Sequence, residues 1–531
     1  MKNIPVMIDG YSLDVETVNA VAREMRPVQV ATRSVAAMQA SRQMLQRLID
    51  NGVMIYGVTT GMGGMQEFLV PKNVAPVMQM NLLRAVATNV GDYFSDEVVR
   101  ASMLTRLNSL CRGHSAIQVT NFQVLLDMLN AQIHPLIPSK GSLGASGDLG
   151  PLATIALAAT GEGKVRYRGE VVPASQALED ADIRPMRLDY KEGLALVNGT
   201  SVMAGLGALV MRDLEIINAT ADVIAAFSLE GLAGKLGPFD ERVHQQKPHP
   251  GQQETASNIV KLTRGSQMAY SEEVLQKTIS SKHSDIKTQK SNVSIMDAYS
   301  IRCVPHVHGP VKECAQWGRQ IIERELNSSN DDPLILPEHN GCFHNGHFHG
   351  QYVAMVMDFA AISATSLGLM SDRRIDRYMD QNHNGGLPPF LCDKNAGVRM
   401  GMMGGQFMTS SVMAESRAKC TPISIQSIPS TEDFQDFVSM GLVAARRTYE
   451  VLRDVTYVFA FELMCAAQAA DIRGLEKLSP LGRHSYELTR QVAPPFSEDV
   501  SVTPHVEQLA TRILAGEFAA IIRSQGQRED Q

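Results

Sequence analysis

Aromatic residues are scarce, cysteines are unpaired, and neither sign of charge is gathered into a block. Aromatics make up 5% of the 531 residues and Trp317 is the single tryptophan, so the apolar content falls to Ala, Leu and Met, the composition of helices packed closely on one another. The seven cysteines are odd in number, scattered and free of any C-x-x-C pair, which argues against a disulfide framework and reads as reduced thiols of a cytosolic protein. A net charge of −7 from 49 basic and 56 acidic residues carries no basic run, which speaks against nucleic acid and anionic membrane as partners. The first ten residues lack an apolar signal core, and the longest apolar stretches are interrupted by Arg212, Asp213 or Asp358, so no membrane segment is expected and the predicted location is the cytoplasm. No G-x-x-x-x-G-K-[ST] phosphate loop is present.

What is there is mostly helical pattern. Residues 4–8 predict a short strand, and Val15, Val18 and Val21 then recur at helical spacing. A helix bearing Val35, Met38, Leu45, Leu48 and Ile49 is predicted to stop at Asn51-Gly52. A β-like run then opens into a glycine loop over 53–65. Helices are predicted near 73–89, 96–112 and 121–132, and a hairpin over 165–172 with Gly169 in its turn. From about residue 191 the texture changes to long Ala- and Met-rich helices near 201–232, 297–326, 351–378, 406–420 and 435–471. Helices of about thirty residues span about 45 Å, too long for one compact globule and suited to a bundle shared by several chains. The expected organisation is an N-terminal mixed domain over 1–195, a central long-helix bundle and oligomer core over 196–480, and a helical tail over 481–531, mainly α overall.

One stretch stands out as a place for chemistry. GSLGASGDLGPLA at 141–153 has four glycines in ten residues, which marks a tight bend or φ > 0. Asp148 and Pro151 then read as an N-cap region and an N1 proline, placing Ala145, Ser146 and Gly147 at the positive end of a helix dipole. Polar patches interrupt the helices at 56–64, 198–200, 299–308 and 327–351. Taken singly, Asn198 reads as a helix cap, Arg302 as a surface arginine and Phe348 as core. The histidines of HNGHFHG (His344, His347, His349) and the Cys303, His306, His308 set offer metal-ligand atoms, but at spacings that fit zinc poorly.

Together the motifs IYGVTTGMGG, GSLGASGDLGPLA, KEGLALVNGT, AYSIRCVP, ELNSSNDDP, FHNGHFHGQ and FQDFVSMGLVAAR strongly resemble the aromatic amino acid ammonia-lyases and aminomutases, which use a methylidene-imidazolone (MIO) group. The likeness runs from about residue 5 to beyond Gly474 and is nearest in appearance to bacterial phenylalanine aminomutases and phenylalanine ammonia-lyases. It implies the helical ammonia-lyase (fumarase/aspartase-like) architecture and no external cofactor. It also implies that the Gly147 nitrogen closes on the Ala145 carbonyl carbon, with loss of two waters leaving Ser146 as an exocyclic methylene. The product is an electrophile, which none of the twenty side chains is.

The resemblance further implies roles for single residues. Tyr56 would be the base that removes a β-proton, and Tyr299 would assist MIO and the amine. Asn198 would hydrogen-bond the bound intermediate, Arg302 would clamp the substrate carboxylate, Phe348 would pack beside MIO, and Gln435 would lie in the polar network. The site would be built from three subunits of a homotetramer. Relatives that prefer histidine or tyrosine usually place a histidine where this chain has Ala85-Val86, and histidine-specific members have a glutamate at the place of Gln435. A pocket lined by Leu82 and Val86 therefore predicts a plain phenyl ring. Three departures stand near the expected site: Met296 and His306 where many members have glutamine, and Asp332 where the family usually has asparagine. The expected activity is a 2,3-aminomutase converting L-phenylalanine to β-phenylalanine through trans-cinnamate. The alternatives are a phenylalanine or tyrosine ammonia-lyase and, more distantly, a metal-dependent enzyme or a non-enzymatic helical assembly.

Overall fold

The computed structural model describes residues 4–280 and 293–522. The chain is mainly helical, and the described residues form four small sheets of two or three strands. Its contacts divide it into two units, each assembled from separated stretches of sequence. The first comprises the chain up to Arg212 with Gly318–Asp358 and Pro422–Tyr449; the second comprises Asp213–Trp317, Phe359–Thr421 and the chain from Glu450. Four of the five boundaries fall inside the long helices Ser201–Gly231, Val304–Leu326, Gln351–Met379 and Gly441–Arg473, and the fifth, between Thr421 and Pro422, follows the helix Met403–Lys419.

The first unit is organised around the helix Asp96–Leu110, in which every residue from Val98 to Leu110 is buried. Burial on all faces forces its polar side chains to find partners inside. Ser102 and Thr105 donate back to the carbonyls of Val98 and Ala101, and Arg100 donates to Val21 and Leu129 carbonyls. The strand expected at 4–8 forms over Val6–Ile8 and pairs in parallel with Val28–Val30. The hairpin also forms: Lys164–Tyr167 pairs antiparallel with Glu170–Pro173. Its two turn residues, Arg168 and Gly169, have φ of 52° and 86°, the doubly left-handed turn that matches strand twist.

Three stretches differ from the sequence pattern. The run expected as β-like from Val53 is a series of turns, because the Thr59 and Thr60 hydroxyls take the N–H groups of Ile55 and Gly57 (2.8 and 3.2 Å) that a strand would need. The helix expected over 297–326 breaks at Cys303 into Tyr299–Arg302 and Val304–Leu326, with Pro305 in the first turn of the new helix, where a missing N–H costs nothing. The helix expected from Gln435 begins only at Gly441. Thr431, Glu432 and Asp433 are left-handed in succession, with φ of 51°, 55° and 60°, and the resulting loop leaves Gln435 outside the helix.

In the second unit, buried charge is paired at two places. Arg374 grips Glu462 through Nε and Nη2 at 2.6 and 2.9 Å, and Ser228 and Ser371 each donate to the same carboxylate at 2.5 Å. Asp222 receives His308 Nδ1 at 2.9 Å, Lys312 Nζ at 3.0 Å and Asn258 Nδ2 at 2.9 Å. Two helices, Gln351–Met379 and Gly441–Arg473, are long and apolar enough to cross a membrane by length and composition, yet 56% and 83% of their most apolar windows are buried within the protein. That burial is what core helices show.

Removing one partner of a buried pair strands the other. Glu462→Gln is expected to destabilise the protein by about 3–5 kcal/mol, read as a lowered denaturation midpoint in guanidinium chloride at constant slope.

Candidate active site

The Ala145-Ser146-Gly147 turn is a backbone held from two sides. Gly144, Ser146 and Gly147 all lie in the left-handed region, at φ of 85°, 53° and 77°, a conformation that costs a non-glycine residue about 1–2 kcal/mol. On one side lies the segment at Gly199. Its N–H donates to the Ser146 carbonyl (3.1 Å), and its carbonyl accepts from Asp148 N–H (2.8 Å). A Cβ on Gly147 would stand 2.1 Å from that carbonyl oxygen, so only glycine fits. On the other side a Cβ on Gly144 would meet Ser439 Oγ at 2.6 Å and Met440 N at 2.7 Å. Gln435 Nε2 donates to Ser146 Oγ at 3.2 Å.

Asp148 anchors this arrangement. It stands at the N-cap of Leu149–Ala159, as expected, but its side chain makes no bond to that helix. Its Oδ2 instead accepts the N–H groups of Val202 and Met203, at 2.8 Å each, in the first turn of Ser201–Gly231. The carboxyl is fully buried, and that burial pushes its pKa up to about 7 against the opposing pull of those two N–H groups.

The turn faces a cavity of about 620 Å³ in the first unit. Tyr56, Ala145, Ser146, Asn198, Asp332, Phe348 and Gln435 all line it, so seven of the residues singled out in the sequence come together. The Tyr56 oxygen accepts Gly63 N–H at 2.8 Å, and its ring stacks on Phe434 with centroids 6.4 Å apart. Burial raises the Tyr56 pKa above the ordinary phenol value, and the negative charge of Asp332 raises it further. Asp332 is itself raised, chiefly by burial. Asn198 donates from Nδ2 to Asp331 Oδ1 (3.1 Å) and to the Asp332 carbonyl (2.9 Å).

The other expected residues lie elsewhere. Leu82 and Val86, half-buried on the helix Ala75–Val86, do not line the cavity. Tyr299 and Arg302 belong to the second unit. There Tyr299 is 69% exposed, and the Arg302 guanidinium lies 4.7 Å from the centre of the Tyr299 ring.

The histidine patches have other uses. His344 Nε2 accepts Tyr56 N–H (3.2 Å), and His349 stacks on Phe437. His308 is buried against Asp222, while His306 packs 5.7 Å from the His244 ring. Among the described residues no group of three or more His, Cys, Asp or Glu side chains is placed to hold a metal ion. Sequence reasoning missed Leu194, Phe434 and Phe437, which also line the cavity. Each sits inside a motif already quoted for a neighbour, which was the available signal.

The cavity thus brings an Ala-Ser-Gly turn together with a phenol, a carboxamide and an aromatic wall, the set that the resemblance implies. The model of the aromatic amino acid lyase family matches residues 13–491, and the chain belongs to that family. A tyrosine ammonia-lyase of Cupriavidus metallidurans is 40% identical, with 98% of each chain covered. An MIO-dependent tyrosine 2,3-aminomutase of Streptomyces globisporus is 39% identical over 98% of this chain and 96% of its own. The structure of Pantoea agglomerans phenylalanine aminomutase superposes with a TM-score of 0.93 at 48% identity, over 96% of this chain and 99% of that one. Histidine ammonia-lyases are relatives as well.

The protein is therefore an enzyme of the aromatic amino acid ammonia-lyase and aminomutase class. The family depends on an MIO group formed autocatalytically from an Ala-Ser-Gly segment and needs no external cofactor. Ala145-Ser146-Gly147 fits that requirement: the turn is already bent, position 147 admits no side chain, and Ser146 has a β-hydroxyl to lose. Intact-mass measurement is expected to read two waters below the mass of the unmodified chain, with Ser146→Ala and Gly147→Ala each restoring the full mass. An unmodified wild-type chain would contradict maturation of the turn.

Proposed function

We propose that the protein is a cytoplasmic, homotetrameric 2,3-aminomutase that converts L-phenylalanine to β-phenylalanine through trans-cinnamate, releasing some cinnamate and ammonia. The observation that supports this most directly is the 48% identity to a phenylalanine aminomutase over nearly the whole of both chains. The MIO group supplies the electrophile for the amine. Tyr56 Oη takes the β-proton, and its raised pKa makes that step favour alkaline conditions. Phe348, Phe434, Phe437 and Leu194 give the cavity an apolar wall against which a phenyl ring packs, while Gln435 holds the polar side of the turn.

In this reading Arg302 and Tyr299 act on the cavity of another copy of the chain. The lining residues include no Lys or Arg, and a substrate carboxylate calls for a cation, for which the planar fork of arginine is suited. Exposure of Tyr299 in the single chain accords with a place at such a contact. The tyrosine ammonia-lyase relative at 40% identity supports a second reading, in which the ring carries a hydroxyl and coumarate and ammonia are the products.

Incubation with L-phenylalanine, L-tyrosine and L-histidine separately, with chromatographic resolution of the products, tests the proposal. β-Phenylalanine with some cinnamate from L-phenylalanine is expected, and turnover of histidine alone overturns it. Tyr56→Phe is expected to lower kcat by about 10²–10⁴ with a much smaller change in KM. The rise of kcat with pH tests the charge beside Tyr56. Asp332→Asn removes an anion that holds the phenol protonated, so the rising limb is expected to move to lower pH.

A further inference from the structure

The cavity wall holds acceptors whose hydrogen-bond partners are missing. Asn198 is 2% exposed, and its Nδ2 is engaged by Asp331 Oδ1 and the Asp332 carbonyl, while its Oδ1 is buried without a partner. The carboxamide is not free to flip. Asp331 faces it as a carboxylate held by Lys191 Nζ at 2.5 Å, with both side chains fully buried, and a flipped amide would set its carbonyl against that carboxylate. Lys191 and Asp331 thus act as positioning residues that leave an oxygen, not an amine, as the free end of Asn198.

Asp332 stands beside it, 9% exposed and on the cavity wall. Its Oδ1 accepts Asn345 N–H at 2.7 Å, and its Oδ2 has no hydrogen bond among the described residues. Asp436 adds a second carboxylate to the wall. Within one chain the lining sets no Lys or Arg against these anions, and His344 Nε2 is taken up by Tyr56 N–H. Lys191 already pairs with Asp331.

We infer that Asn198 Oδ1 and the Asp332 carboxylate form a cation subsite that takes the substrate's ammonium group. The inference rests on the amino acid reading above and names the end of the substrate that these residues hold. A carbonyl oxygen and one carboxylate suit an N–H donor better than a metal ion, which calls for a fuller set of ligands. The subsite also lies where an amine is wanted. Asn198 is bonded to Gly199, whose N–H donates to the Ser146 carbonyl and whose oxygen closes on Gly147.

The test uses the full-length Ser146→Ala protein, in which binding is read without turnover, and two half-ligands. Phenethylamine carries the ammonium without a carboxylate; trans-cinnamate carries the carboxylate without an ammonium. Calorimetric titration is expected to show that adding Asp332→Asn weakens phenethylamine binding about tenfold or more, the loss of one charge-assisted hydrogen bond, while cinnamate binds as well or more tightly. The nearly isosteric side chain keeps an oxygen for Asn345 N–H, and an unchanged melting temperature confirms an intact fold. Phenethylamine binding within twofold of its starting value, or an equal loss for both ligands, overturns the subsite alone. Failure of both ligands to bind Ser146→Ala overturns the aromatic amino acid reading and the subsite with it.

Discussion

The contact between Gly147 and Gly199 is the constraint on which the candidate site depends. Two backbone segments meet with no room for a side chain on position 147, and hydrogen bonds from Gly199 N–H and to Gly199 O fix both faces of the approach. Asp148 then ties the turn to the first turn of Ser201–Gly231 through two N–H groups. That helix runs 31 residues, so the reactive turn is braced against one of the longest rigid elements of the chain. The burial that goes with this position pushes the Asp148 pKa up to about 7. At neutral pH the carboxyl stays charged only so far as the two helix N–H groups, assisted by Arg106, offset its burial.

A closed backbone approach explains why a strained serine persists. Ser146 in the left-handed region would relax in an isolated peptide, and the surroundings must over-determine it for the conformation to survive. They do so from the Gly199 side and from the 439–440 segment together. The same enclosure brings the Ala145 carbonyl and the Gly147 nitrogen onto one tight turn, which lowers the entropy that ring closure must overcome.

Much of this was legible in the sequence because glycine spacing reports backbone geometry directly. The glycines at 141, 144 and 147 all have positive φ, and the resemblance implied by the motifs places Tyr56, Asn198, Phe348 and Gln435 at the turn, where the cavity has them. Long-range polar pairing was not legible. Lys191 and Asp331 lie 140 residues apart, and neither periodicity nor composition marks a buried ion pair. The apolar pattern extends the last long helix back to Gln435, whereas the fold starts it at Gly441, directly after a left-handed Met440. Periodicity likewise carried the 297–326 helix through Cys303, where the fold breaks it.

The distribution of charge joins the fold to the proposed chemistry. In the second unit, Arg374 answers Glu462 and Lys312 answers Asp222. The cavity of the first unit differs from those two pairs: Asp332 and Asn198, with its orphaned carboxamide oxygen, line it, with no Lys or Arg among the lining residues to answer them. A zwitterion has charges of both signs to satisfy, and one chain's cavity offers complement to only one of them. The guanidinium of Arg302, whose Nε has no partner, has the opposite need. An enzyme for amino acids built from such halves becomes complete when copies of the chain exchange them, which ties the proposed tetramer to substrate charge as well as to helix length.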